Sequence, residues 1–267
     1  MNEASKRAVM PKGTNAVLDR RTVYHSNSNL LDIVKPGDSV LDVGCGSGSI
    51  TAGIAELTGP GGQVTGIDTS QDLIAQARGN YAHIATLRFE AADINTYQPK
   101  QAFNVITSAR VLQWVDNPVQ LISTMKQLLA PGGCLTILDY NHEKIRWEPG
   151  IPQSMQAFYQ AFLQWRADAG MDNRIADHLE TIFKQAGLSD ISITDHSETS
   201  LKGSPEFEAD LDIWAKVAET RGMQLLKDDY VTDELRLRAI AEYRDWVRTE
   251  ARSMTLYLKA VSGRSPR

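Results

Sequence analysis

The stretch Val40-Leu41-Asp42-Val43-Gly44-Cys45-Gly46-Ser47-Gly48 constrains this chain more than any other. A short apolar run, a cluster of glycines and then a helix-forming segment from Ile50 describe a strand that turns sharply into a helix. Glycine permits the positive φ of so tight a turn and leaves room for a ligand where a Cβ would stand. The helix that follows directs its free N–H groups at the same space. Asp68 ends a second apolar run, Gly66-Ile67-Asp68, twenty residues past Gly48. A carboxylate there can accept both hydroxyl hydrogens of a ribose, so loop and acid together read as a nucleoside site. The dinucleotide fingerprint wants a glycine where this chain has Ser49, and that speaks against a nicotinamide dinucleotide.

From about residue 29 to residue 139, β-rich runs alternate with helical stretches, the pattern of a parallel sheet covered by helices. Strands are expected at 39–43, 63–67, 87–91, 103–107 and 134–138, with a helix at 119–129 that stops at Pro131-Gly132-Gly133. The second half is more helical. Its apolar stripes are Met155, Phe158, Phe162 and Trp165, then Ile175, Leu179, Ile182 and Phe183, then Phe207, Leu211, Trp214 and Val217. Ser204-Pro205 reads as the start of that third stripe's helix, Thr232 as the cap of a last helix running to about 252. Strand candidates remain at 191–194 and 255–261. With 267 residues and 42% hydrophobic content, the chain can bury a sizeable core. A net charge of −5 makes a phosphate backbone an unfavourable partner, so no nucleic acid is expected. No apolar run reaches the roughly 20 residues of a membrane span, and the opening residues carry no apolar signal core. Two cysteines cannot build a disulfide framework or a four-ligand zinc site. These features predict a cytoplasmic protein that needs no metal.

The nine-residue stretch resembles motif I of the class I S-adenosylmethionine-dependent methyltransferases. The resemblance continues through Asp68, Ala91-Ala92-Asp93-Ile94, Phe103-Asn104-Val105-Ile106-Thr107-Ser108 and Leu128-Leu129-Ala130-Pro131-Gly132-Gly133, and covers about residues 29–140. It implies a Rossmann-like α/β fold: a doubly wound seven-stranded sheet, mostly parallel with an antiparallel last strand, plus helical lid insertions. It also implies a division into an N-terminal arm (1–28) over the cofactor, a cofactor-binding core (29–140), helical lid insertions with late-strand elements (141–254) and a final strand and tail (255–267). The subgroup most similar is that of quinone-biosynthesis and natural-product enzymes, which methylate small molecules.

The same resemblance implies roles for individual residues. Gly44, Cys45 and Gly46 would face the methionine part of S-adenosyl-L-methionine, with Asp42 water-linked to its ammonium. Asp68 and the adjacent Thr69 would meet the ribose. Asp93 would accept from the adenine amine, with the Ala92 and Ile94 backbone at the ring, and the Ser108 backbone would close over the amino group. Tyr24 would fold over the cofactor from the N-terminal side. Asn104 stands where relatives more often have Asp, a position that usually supports structure. Cys45 reads as a small residue filling the turn rather than a nucleophile.

His142 and Glu143 follow the last expected parallel strand, at the edge where ligands sit, and His142 can take a proton from an acceptor hydroxyl. Strand four ends in Thr107-Ser108-Ala109-Arg110, without the signature of enzymes that methylate base amino groups. The expected partner is a small organic methyl acceptor, aromatic or apolar if Phe158, Phe162, Trp165 and Trp214 face it. Two rivals remain open: a non-catalytic cofactor-sensing or partner-binding protein on the same fold, and, less favoured, a nicotinamide-dependent dehydrogenase.

Overall fold

The computed structural model describes residues 2–9 and 20–266. Residues 1 and 10–19 of the expected arm, and residue 267 of the tail, lie outside the described residues. In the first half the elements are α1 (Glu3–Ala8), α2 (Val23–Ser26), α3 (Leu30–Ile33), β1 (Ser39–Val43), α4 (Ser49–Thr58), β2 (Gln63–Asp68), α5 (Gln71–Asn80), β3 (Leu87–Ala91), β4 (Phe103–Ala109), α6 (Pro118–Gln127) and β5 (Leu129–Tyr140). In the second half they are β6 (Arg146–Glu148), α7 (Gln153–Asp168), α8 (Ile175–Gln185), β7 (Ser189–Asp195), β8 (Glu198–Leu201), α9 (Phe207–Leu211), α10 (Ile213–Lys227), α11 (Asp233–Thr249), β9 (Ser253–Leu256) and β10 (Leu258–Arg264).

Seven strands form one sheet in the order β3-β2-β1-β4-β5-β10-β7. The first five are parallel. β10 runs antiparallel to both β5 and β7. All but the first residue of β1 are buried, which is what a central strand covered on both faces requires. Strand order reverses between β1 and β4, so their carboxyl ends diverge into a crevice; open α/β sheets bind ligands at that switch point. Asn104 has the supporting role expected of it: its Oδ1 accepts the Ser39 N–H at 2.9 Å and ties the start of β1 to β4.

Three apolar clusters hold the layers. Val40, Val64 and Val105 pack with α4 and α5 on one face of the sheet. Leu41, Ile106 and Ile137 pack with α6 and α8 on the other. The third cluster joins α7, α10 and α11 through Phe158, Phe162, Trp165, Trp214, Tyr243 and Trp246, and it rests on Leu138 and Tyr140 at the carboxyl end of β5. The helical half is thereby set over the edge where the switch point opens.

The structure departs from the sequence reading in two places. The helix expected from Ser204-Pro205 begins at Phe207 and breaks at Asp212, so its stripe is shared between α9 and α10. The Ser204 hydroxyl donates to the Leu201 carbonyl instead of capping a helix. The strand expected at 255–261 is two strands: β9 joins β6 and β8 in a separate three-stranded sheet, and β10 joins the large one. The large sheet draws its last two strands, β7 and β10, from beyond residue 140, as the expected late strands. Among the described residues no helix is long and apolar enough to cross a membrane, and no group of three or more His, Cys, Asp or Glu side chains is placed to hold a metal ion.

Candidate functional site

The glycine loop between β1 and α4 is fixed by its own backbone. Gly44, Gly46 and Gly48 have φ of 76°, 57° and 83°, a region that costs other residues roughly 1–2 kcal/mol. A Cβ on Gly44 would stand 2.3 Å from Val111 Cγ2, and one on Gly48 2.5 Å from Phe89 Cζ. At these two positions the room left by the missing side chain is taken by the protein's own packing rather than kept for a ligand. The N–H groups of Gly44 and Cys45 both donate to the Ile67 carbonyl, at 2.8 and 3.0 Å, which locks the loop to the end of β2.

Asp68 joins the loops after β1 and β2. One carboxylate oxygen accepts the Gly46 N–H at 3.0 Å and the other the Ser70 N–H at 2.8 Å. A carboxylate has about four acceptor positions, so capacity for ligand hydroxyls remains. Asp42 lies beneath the loop, buried, and accepts the Thr51 hydroxyl at 2.7 Å. Burial pushes its carboxyl up to about 6, the Thr51 hydrogen bond works against that rise, and the negative charge of Asp68 adds to it. Burial likewise pushes the Cys45 thiol up, which leaves it a poor nucleophile.

A narrow slot of about 40 Å³ opens over the loop, lined by Arg21, Asp42, Gly44–Ser47, Ser49, Ile50 and Ala109. Arg21 is the residue the sequence reading missed, and no periodicity or motif pointed to it. Tyr24 is placed elsewhere: its side chain is half exposed and its hydroxyl donates to Glu56 Oε2 at 3.2 Å, well along α4 from the loop. A larger cavity, about 330 Å³, lies beside β3 between Arg78, Tyr81 and Phe89, and shares no lining residue with the loop. The loop slot is the better candidate, because it lies at the switch point and holds Asp42 beside the glycine loop.

The remaining expected cofactor residues fall along the same edge. Ser108 is fully buried and donates to the Val43 carbonyl at 2.8 Å. The Ala92 N–H donates to the Asp68 carbonyl at 3.0 Å, which brings the segment after β3 up to the ribose acid. Asp93 is exposed and accepts from both the backbone and side-chain nitrogens of Asn95, at 2.9 Å each. Ile94 turns its side chain into the core, and Thr69 is exposed.

His142 and Glu143 separate. Glu143 points outward to Arg174, 3.8 Å away across an exposed pair. His142 is buried among Tyr140, Phe162 and Trp214. Its Nε2 lies 2.7 Å from Gln113 Oε1. The Gln113 amide is oriented by donating to the Arg110 carbonyl and by receiving Arg166, so Oε1 is the acceptor and Nε2 carries the proton. Nδ1 is then a bare lone pair, buried and without a partner among the described residues. Burial, and behind it the charge of Arg166, hold the imidazole pKa well below its usual value. His142 is thus a neutral hydrogen-bond acceptor and a weak proton carrier, a different tool from the base expected. Phe158, Phe162, Trp165 and Trp214 are buried against one another or their helical neighbours and form core.

Arg110, noted in the sequence only as the end of strand four, is given a role by the fold. It is buried with φ 62° and binds three parts of the fold: Nε donates to the Tyr140 hydroxyl, one terminal nitrogen to the Ser26 carbonyl, and the other to Glu198 at 2.5 Å.

This geometry agrees with comparisons to known proteins. The methyltransferase domain family matches residues 34–187, and the chain belongs to that family. Over 122 residues it is 34% identical to the trans-aconitate 2-methyltransferase of Escherichia fergusonii, a match covering 42% of this chain and 47% of the relative. The chain spans less than half the length of the curated relatives that match first. Its fold is similar to phosphoethanolamine N-methyltransferase 2 of Haemonchus contortus, solved with phosphomonomethylethanolamine and S-adenosylhomocysteine (TM-score 0.57, 18% identity, 98% of this chain and 55% of that one). It is also similar to the [4+2]-cyclase SpnF (TM-score 0.55, 19% identity, 93% and 84%).

Proposed function

We propose that this chain binds S-adenosylmethionine over the glycine loop and moves its methyl group to a small organic acceptor. The observation that carries the reading is the loop itself: three positive-φ glycines at the switch point, a buried acid below and Asp68 clamped beside them. S-adenosylmethionine, when bound, supplies a methyl already activated by a sulfonium leaving group. The protein therefore has to hold, align and dry the reactants, work that can account for roughly 7–11 kcal/mol of a barrier.

Asp68 accepts the ribose hydroxyls while its hydrogen bonds to Gly46 and Ser70 keep it in place. Asp42 sets a negative charge under the amino-acid end, and Asp93 is available to the adenine amine. The helical half, resting on the end of β5, covers the acceptor and excludes water. His142 Nδ1 accepts a hydrogen bond from an acceptor that carries a hydroxyl or N–H and fixes its orientation. The curated relatives named as trans-aconitate methyltransferases favour an acidic small acceptor. Fold alone does not fix the reaction, and the solved cyclase of similar fold favours, as a second reading, an adenosyl-binding protein that does not transfer methyl groups.

Calorimetry with S-adenosylmethionine, S-adenosylhomocysteine, NADH and NADPH tests the first step, and labelled-methyl transfer to trans-aconitate and to a panel of amines and phenols tests the second. Binding of the two adenosyl compounds alone, followed by transfer, is the expected result. A nicotinamide preference overturns the cofactor. Adenosyl binding with no transfer to any acceptor moves the protein to the second reading.

A further inference from the structure

The large sheet ends in two unlike edges. At β3 the edge is guarded: Arg78 Nε donates to the Phe89 carbonyl at 2.8 Å, and Arg88 and Glu90 are exposed charges on the strand itself. At β7 the edge is open. Its ladder pairs Ser192 with Ser262, Ile193 with Val261, Thr194 with Ala260 and Asp195 with Lys259. One step further on, the His196 N–H donates to the Leu258 carbonyl. Bonded and non-bonded pairs alternate along an antiparallel ladder, so the backbone groups of Ser192 and Thr194 point at β10 and those of Ile193 and Asp195 point away from it. Among the described residues no other element donates to or accepts from the Ile193 backbone. Six of the seven residues of β7 are exposed and the other, Ile191, is half-buried. An unpaired edge of this kind is a template for another strand.

The strand's own sequence says which one. Asp190-Ile191-Ser192-Ile193-Thr194 reads nearly alike in both directions about Ser192. Laid antiparallel to a second copy about a two-fold axis at Ser192, it sets each Ile191 opposite the other copy's Ile193, Ser192 opposite Ser192, and Asp190 beside Thr194. The two isoleucines are two residues apart and so share one sheet face, on which Ile191 already packs with the cluster under α6 and α8. No like charges meet. Moving the axis to Ile193 or Thr194 would put Asp195 opposite an isoleucine. We propose that β7 is an interface between two copies of this chain, an isologous antiparallel pairing centred on Ser192 that continues the large sheet from one copy into the other. An irregularity where Asp190 has φ 50° ends the regular ladder before Ile191; the contact is therefore short, and the dimer dissociates on dilution. β5 and β10 separate β7 from β4, so the pairing leaves the switch point uncovered.

Sedimentation equilibrium over a concentration series, on the full chain as wild type, Ile193→Lys, Ser192→Cys and Thr194→Cys, tests this. Wild type is expected to pass from monomer to dimer as concentration rises. Ile193→Lys places a charge opposite Ile191 and is expected to remain monomeric with an unchanged thermal melt, because the side chain is exposed in the single chain. At the proposed axis the two Ser192 Cα atoms form a non-hydrogen-bonded pair about 4.5 Å apart, within the span of a disulfide. The two Thr194 Cα atoms are offset by more than about 13 Å along the strands. Mild oxidation should therefore turn Ser192→Cys into a covalent dimer while Thr194→Cys and wild type, whose own cysteines are half-buried and buried, lag behind. This comparison holds even if Ile193→Lys fails to fold. A wild type that stays monomeric throughout, with no cross-linking of Ser192→Cys, overturns the proposal. So does a dimer that persists in folded Ile193→Lys, which puts the interface elsewhere, and so does Thr194→Cys cross-linking as fast as Ser192→Cys.

Discussion

Asp42 faces opposed demands from stability and binding. Its carboxyl titrates at about 6 in the fold against 3.8 for an ordinary aspartate. The folded state then holds a proton that the unfolded state has released, so stability falls as pH rises between those values and stays lower above them, by about 3 kcal/mol. Asp42→Asn keeps an acceptor for Thr51 and removes the buried charge. We expect its melting temperature at pH 7.5 to exceed wild type by ~2–6 °C, with the gap closing near pH 4 and cofactor affinity reduced; a variant no more stable at pH 7.5 contradicts the buried-charge account. Asp68 is different, with its carboxylate spent on Gly46 and Ser70 and available to a ligand. Asp68→Ala should weaken S-adenosylmethionine binding by about 1–3 kcal/mol, and unchanged affinity in calorimetry would mean the ribose is held elsewhere.

At the scale of elements, the loop and the N-terminal helix make the clearest cases. Gly48→Ala must place a Cβ against Phe89 at φ 83°. Backbone strain and overpacking together should lower unfolding stability by about 2–4 kcal/mol. Adding Phe89→Leu should recover the packing part only, and full recovery in urea titrations would show that φ is not the constraint. α1 has six residues, too few to be stable alone. It is held by the helical half: the Arg7 guanidinium lies between the rings of Trp165 and Tyr230, 5.1 and 5.3 Å from their centroids, and donates to the Trp165 carbonyl. Arg221 donates to the carbonyls of Arg7, Ala8 and Val9, closing the helix's C-terminal end. Arg7→Ala should therefore raise hydrogen exchange across α1 while leaving β1 to β5 protected; exchange unchanged in α1 would show that the docking does not depend on Arg7.

For the whole molecule, the question is whether sheet and helical half fold as one. Leu138, Tyr140, Leu258 and Ala260 belong to the sheet yet sit in the helical cluster, and Arg110 ties β5, α2 and β8 together. All five tryptophans, 114, 147, 165, 214 and 246, lie in or against that cluster. Tryptophan fluorescence consequently reports the helical half, and far-ultraviolet circular dichroism reports the whole. With a shared core the two should give coincident urea transitions. A fluorescence midpoint well below the dichroism midpoint would show a helical half that opens independently over the switch point.

The local sequence was enough to place the strand-loop-helix corner, the acid ending β2 and the alternation that makes a parallel sheet, because each depends on neighbours in the chain: apolar runs, glycines at turns, caps at helix starts. Asp42, Asp68 and Ser108 were legible for the same reason. What joins distant segments was not. Arg21 reaches the slot and Tyr24 does not because of how α2 lies against α4. Gln113 and Arg166 decide the tautomer of His142 from elements far apart in sequence, and Arg166 follows Trp165 with nothing in the apolar stripe to announce a buried charge. The aromatic stripes of the second half had the right period, yet only the packing showed that they pair with one another as core. Charge, protonation and access are set by what surrounds a group in three dimensions, and those surroundings come from the tertiary structure.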